Sequence, residues 1–121
     1  MSDDRTKRFL ALLKEEIEDN LGSIQYLVQS YDRKFKGGEI TNYVYSENGA
    51  FLAQETAGLK KFLCFLDSIS PEGKTAEDVV LLVKEAVKQK SREYEDPEAV
   101  YGIINRKLEK SLRFFTGQTI S

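Results

Sequence analysis

Hydrophobic residues recur at helical spacing along most of this chain. Between Asp3 and Lys36, Ile17, Leu21, Ile24, Val28, Tyr31 and Phe35 follow one another at alternating steps of four and three. That is a heptad seam, the pattern of a helix that lays one stripe against a neighbour. Leu10 and Leu13 extend the stripe towards the N-terminus, with Phe9 and Leu27 along its border. Ser2 or Asp3 suits the cap position, and Asp3 and Asp4 suit the positive end of the helix dipole. Gly22 is the weak point, because Asn20-Leu21-Gly22-Ser23 has the composition of a break. The seam keeps its phase across it, which predicts one helix over 3–36, about 50 Å long at 1.5 Å per residue. Such a helix overruns the core of a small domain, so its ends project or find a partner.

Gly37-Gly38 stops this helix. Residues Glu39 to Ser46 are rich in β-branched and aromatic side chains, but a lone strand has nothing to pair with. They read as an extended connector, or as an early start to the next helix with Thr41 or Asn42 as cap. That second helix is expected over about 46–69. Phe51, Leu52, Leu59, Phe62, Leu63, Phe65, Leu66 and Ile69 fill a broad arc on it, while Ala50, Ala53, Ala57 and Cys64 make a small-residue stripe opposite, flanked by Lys60 and Lys61. A helix with two such faces can be packed on both sides. Ser70-Pro71-Glu72-Gly73 is a turn, and Thr75-Ala76-Glu77-Asp78 resembles a capping box with Asp in place of Glu or Gln. A third helix follows over about 76–94, with Val79, Leu82, Val83 and Ala86 as its stripe and Val80 and Val87 alongside. Asp96 as cap and Pro97 in the first helical position open a fourth, over about 97–115, with Val100, Ile103, Ile104, Leu108, Leu112 and Phe115 apolar. No repeat, low-complexity tract or linker interrupts the 121 residues. The pattern therefore predicts a single all-α domain over 1–121, a four-helix up-down bundle with a long N-terminal helix.

Composition removes more chemistry than it suggests. There is no histidine. Catalytic triads, carboxylate–histidine di-iron bundles, histidine phosphotransfer and histidine-dependent RNase or phosphohydrolase chemistry therefore have no residue to run on. One cysteine permits no internal disulfide and no cysteine-based zinc site. The net charge of −2 lacks the basic excess of a dedicated nucleic-acid binder. Met1-Ser2-Asp3-Asp4 begins acidic with no apolar run behind it, and no stretch has the length to span a bilayer, so no membrane association and a cytoplasmic location are expected.

Five features are candidates for function. Glu15 and Glu18, and Glu16 and Asp19, lie three apart and share helix faces. Paired carboxylates of this kind hold Mg²⁺ in all-helical nucleotide hydrolases, but the only later pair at that spacing, Glu93 and Asp96, sits at a helix end. A solvated face is the simpler account. Glu55 falls inside the apolar arc of the second helix, where a carboxylate must be paired, neutralised or wet. Lys107, inside the arc of the fourth helix, is the candidate partner. Lys84, Lys88, Lys90, Arg92, Arg106, Lys107, Lys110 and Arg113 put cations on the last two helices, with Glu85, Glu93, Glu95 and Glu109 interleaved. Cys64 has Lys60 and Lys61 within one turn but no base to make a thiolate, and a buried free cysteine behaves as a small apolar residue. Tyr43 and Tyr45 in the connector either anchor a partner or fold over the end of the bundle.

These observations favour a non-enzymatic helical interaction module: an adaptor, chaperone-like or assembly protein that binds another protein or itself, with a homodimer expected. Several small secretion and flagellar chaperones and regulatory adaptors resemble this architecture, an analogy of fold alone. The expected binding residues are Tyr43, Tyr45, Glu55, Ala50, Ala53 and Ala57, with no catalytic group, metal or cofactor. Two alternatives remain: a weak nucleic-acid or acidic-partner binder using the cations of the last two helices, and a carboxylate–Mg²⁺ nucleotide hydrolase using Glu15, Glu16, Glu18 and Asp19.

Overall fold

A computed structural model of the chain describes residues 2–93 and 98–116, and it is an all-α, four-helix fold with no strand among them. The helices are α1 (Ser2–Lys36), α2 (Asn42–Asp67), α3 (Ala76–Glu93) and α4 (Glu98–Thr116). The expected cap at Asp96 and the Pro97 start of the fourth helix lie outside the described residues, as does Tyr94.

α1 runs unbroken through Gly22, which is exposed with open space around it. A glycine facing solvent costs helix propensity but disturbs no packing, so the heptad phase carries the helix across it. The helix ends in a Schellman turn: Glu39 N–H donates to the Lys34 carbonyl and Gly38 N–H to that of Phe35, with Gly38 at φ +74°. Only glycine takes that conformation without strain.

α2 begins at Asn42, four residues before the expected start at Ser46. Thr41 is extended, and its hydroxyl accepts from Val44 N–H at 3.1 Å, so the cap offered by the sequence outweighs the β-rich composition of Tyr43-Val44-Tyr45. The helix stops at Asp67 rather than Ile69, because Ser68 caps it, its N–H donating to the carbonyls of Cys64 and Phe65. α3 opens on the reciprocal capping box, Thr75 N–H to Asp78 Oδ2 at 2.9 Å and Asp78 N–H to Thr75 Oγ1 at 3.1 Å. The buried Thr6 hydroxyl donates to the Lys74 carbonyl at 2.6 Å and ties the start of α1 to the turn before α3.

α1 touches each of the other helices, α4 touches all three, and α2 and α3 do not meet. The core is made by Phe9, Leu10, Leu13, Ile17 and Ile24 of α1, by Leu52, Leu59, Phe62 and Leu66 of α2, by the valines of α3, and by Val100, Tyr101, Ile103, Ile104 and Leu108 of α4. Since α2 does not cover α3, Leu82 is exposed although the third helix's stripe was expected to bury it. The heptad seam of α1 is likewise only partly used. Ile17 and Ile24 are buried, Leu21 and Tyr31 are half-buried, and Val28 and Phe35 are exposed.

Candidate functional site

The seam loses its cover at one place in the fold. None of residues 25–51 is buried, a span that takes in the last third of α1, the Gly37-Gly38 turn and the first third of α2. Ten large hydrophobic side chains are exposed among the described residues, and seven of them fall here: Tyr26, Leu27, Val28, Phe35, Tyr43, Val44 and Phe51. Scattered exposed apolar residues mean little, but their concentration on one helical hairpin marks a surface that can be covered. The clearest sign is a comparison within α2. Phe51 and Phe62 are eleven residues apart, about three turns, and so share a face. Phe62 is 0% exposed and meets Tyr101 of α4 at 6.5 Å between ring centroids, whereas Phe51 is 47% exposed.

Polar contacts hold this hairpin in shape. Tyr45 stacks on Phe35 with centroids 4.3 Å apart and planes 5° from parallel, and its hydroxyl donates to Asp32 Oδ1 at 2.6 Å. The Asp32 carboxylate accepting that proton holds the Tyr45 phenol above its ordinary pKa. The two candidate tyrosines therefore part company. Tyr45 clamps α2 to α1, and Tyr43, 73% exposed, is available to a partner.

Glu55 lies on the same face as Phe51 and Phe62, four residues beyond the one and seven before the other. It is 9% exposed, and no hydrogen bond or ion pair reaches its carboxylate among the described residues. Burial alone pushes its pKa up. The expected pairing with Lys107 is not formed. Lys107 and Lys110 instead bind one oxygen of Glu16, at 3.3 and 3.0 Å. Glu16 is the acid that points inward between α1 and α4, and hydrogen bonding from Lys110, ahead of Lys107, holds its pKa below the usual carboxylate range against the opposing effect of burial. A pairing across two helices depends on the register between them, which no spacing within one helix reveals.

The other acids of that cluster, Glu15, Glu18 and Asp19, are exposed, and the helix facing Glu16 presents lysines rather than a second acidic pair. No group of three or more acidic or cysteine side chains placed to hold a metal occurs among the described residues. Lys84 and Lys88 line a groove of about 610 Å³ between α3 and α4, but Glu98 and Glu109 share it. Arg106, Lys107, Lys110 and Arg113 line a second of about 330 Å³ with Asn20 and Glu109. Ala50, Ala53, Ala57 and Cys64 are all exposed, so none of the described helices covers the small-residue stripe, and Cys64 is not the buried thiol expected of it. Sequence reasoning missed Ser111, whose buried hydroxyl has no hydrogen-bond partner among the described residues and lines a small apolar pocket of about 90 Å³ with Leu12, Glu16, Lys110 and Phe114. It also missed Phe51 as a surface residue, since its periodicity is that of a core residue, and Val44, which it left in a connector. No described helix is long and apolar enough to cross a membrane. Comparison of the chain with protein-family models, with curated proteins and with solved structures found no match.

Proposed function

We propose that this protein is a non-enzymatic helical interaction module, an adaptor, chaperone-like or assembly protein, and that residues 25–51 are its binding arm. The reading takes the helices as an up-down bundle with the long α1 as its spine. Two pairs of contacts support that order. Tyr45 meets Asp32 and Asp67 meets Lys14 at 2.8 Å, so α2 runs back along α1. Phe9 meets Phe115 at 5.6 Å and Glu16 meets Lys107 at 3.3 Å, so α4 runs back along it too. Seventeen residues separate Glu98 from Phe115, and the same number up α1 from Phe9 arrives at Tyr26. α4 therefore begins level with Tyr26, and α1 and α2 continue beyond its start by about 16 Å.

The observation that carries the reading is the contrast between Phe51 and Phe62: one face of one helix, buried where α4 covers it and half-exposed where α4 has not begun. A long helix and a second one, clamped together by Tyr45 and presenting Leu27, Val44, Tyr43 and Phe51, match the way apolar helix faces bind other helices. Capture experiments from the native host test it. Wild-type chain and a Phe114→Asp control, altered at an exposed aromatic on α4, should retain the same protein, and Phe51→Asp should lose it. Equal recovery by all three would refute the arm as the binding surface.

A second reading rests on the groove lined by Arg106, Lys107, Lys110 and Arg113. It would bind an acidic partner or nucleic acid weakly, with affinity falling steeply as salt rises. Two of its four cations are already engaged by Glu16, which favours the arm. Titration of a fluorescent oligonucleotide at low and high salt separates the two.

A further inference from the structure

We infer that the occupant of the arm is a second copy of this chain, packed hairpin against hairpin and antiparallel about a two-fold axis, with Lys34 of each copy paired to Glu55 of the other. The inference rests on the arm being a binding surface and names what binds there.

Charge decides the occupant and its orientation. The tip of the arm carries Arg33, Lys34 and Lys36, all exposed and none in an ion pair among the described residues. The exposed acids of the arm, Glu39 in the turn and Glu47 on α2, lie off α1, and Asp32 is engaged by Tyr45, so the cations stand together on the end of α1. The base of the arm carries the opposite sign. Glu55 is there, nine-tenths buried with no partner, and the exposed Glu98 opens α4 at the same level. The Glu55 carboxylate has no cation of its own chain among the described residues and its oxygens still reach water, so the tip of the same molecule's twin is the cation that complements it. Lys34 is the residue placed to do it. It lies seven residues, two turns, beyond Leu27 and so shares that exposed apolar face. Antiparallel packing brings each tip to the other copy's base. Parallel packing would set the two cationic tips against each other, at a cost in repulsion and with both Glu55 carboxylates left bare.

A two-fold contact uses the same patch twice, so the surface formed by Leu27, Val44 and Phe51 of one copy packs on the same surface of the other. The patch is small. A hairpin about 16 Å long and two helix diameters of about 10 Å wide offers roughly 300 Å² per copy, below the roughly 800 Å² of a standard interface. The dimer is therefore reversible and forms with rising concentration.

Sedimentation equilibrium of the full chain, from low micromolar to about millimolar concentration, tests this. Wild-type mass should rise from 13.8 kDa towards twice that value. Lys34→Glu and Glu55→Lys should each lose the dimer, because each sets like charges together. An equimolar mixture of the two should regain it, because every pair across the axis is then opposite in sign. Circular dichroism checks that both variants fold. If Glu55→Lys does not, Phe51→Asp replaces it as the disrupting variant, and Lys34→Glu alone must still weaken the dimer. Wild-type chain that stays at 13.8 kDa throughout would overturn the inference. So would a dimer indifferent to Lys34→Glu and Phe51→Asp. A monomeric chain that still captures a different protein through Phe51 would overturn the second copy as occupant and leave the arm's binding role standing.

Discussion

Two substitutions of the same residue type on the same face of α2 measure where the core of this protein ends. Phe62→Ala removes a fully buried ring that packs edge-on against Phe65 at 6.2 Å and Tyr101 at 6.5 Å. The lost transfer energy and the cavity left behind cost about 3–5 kcal/mol. Against a total of roughly 5–15 kcal/mol for a domain of this size, that is about a fifth of the stability or more. At about 4 °C per kcal/mol, Tm should fall by about 12–20 °C. Phe51→Ala removes the same atoms from a ring already 47% exposed. About half of the transfer energy of a phenylalanine, roughly 1–1.5 kcal/mol, is at stake. Water fills the space, so no cavity term is added, and Tm should fall by about 4–6 °C. Urea and thermal unfolding followed by far-ultraviolet circular dichroism at low micromolar concentration provide the comparison. Equal losses would mean that Phe51 is covered in the monomer, and the arm would then not be an uncovered surface.

Three further outcomes follow from buried polar groups. Glu55→Gln should be more stable than wild type at neutral pH in dilute solution, and the two should converge in acid. The folded pKa of Glu55 is raised, so wild type has no penalty below the ordinary carboxylate range and loses stability as pH climbs from there through the folded pKa. A constant difference at all pH values would show that Glu55 is not desolvated. Glu16→Gln should show the reverse sign: its pKa is lowered, so its stabilisation is present above the ordinary carboxylate range and disappears as pH falls through the folded value. The loss at neutral pH should be roughly 1 kcal/mol, since Lys110 is largely exposed, and should vanish in acid-range unfolding curves. Ser111→Ala should raise stability by about 1 kcal/mol in urea titrations, because a buried hydroxyl without a partner is removed; a loss of stability would reveal a hydrogen bond at that oxygen.

Local order in this protein was legible from its residues because local order has local causes. The heptad phase carries α1 through Gly22, Gly38 supplies the left-handed turn that ends it, and Thr75 with Asp78 builds the start of α3. The early start of α2 was legible too, since Thr41 is a good cap; the aromatic and β-branched run after it argued against a helix, and the cap prevailed. The apolar stripe of α4 is buried or half-buried throughout.

Which apolar residues are covered was decided only by the tertiary structure. Val28, Phe35 and Phe51 have the periodicity of core residues and are exposed, because coverage depends on where the neighbouring helices begin and end. Leu82 is exposed for the related reason that α2 does not reach α3. The partner of Lys107 was out of reach for the same cause: Glu55, inside an apolar arc, was the expected acid, and only the register between α1 and α4 assigns the lysine to Glu16 instead. Periodicity reports which face of a helix is apolar. It carries no information on whether another helix lies opposite that face, and along residues 25–51 of this protein the apolar positions are left exposed.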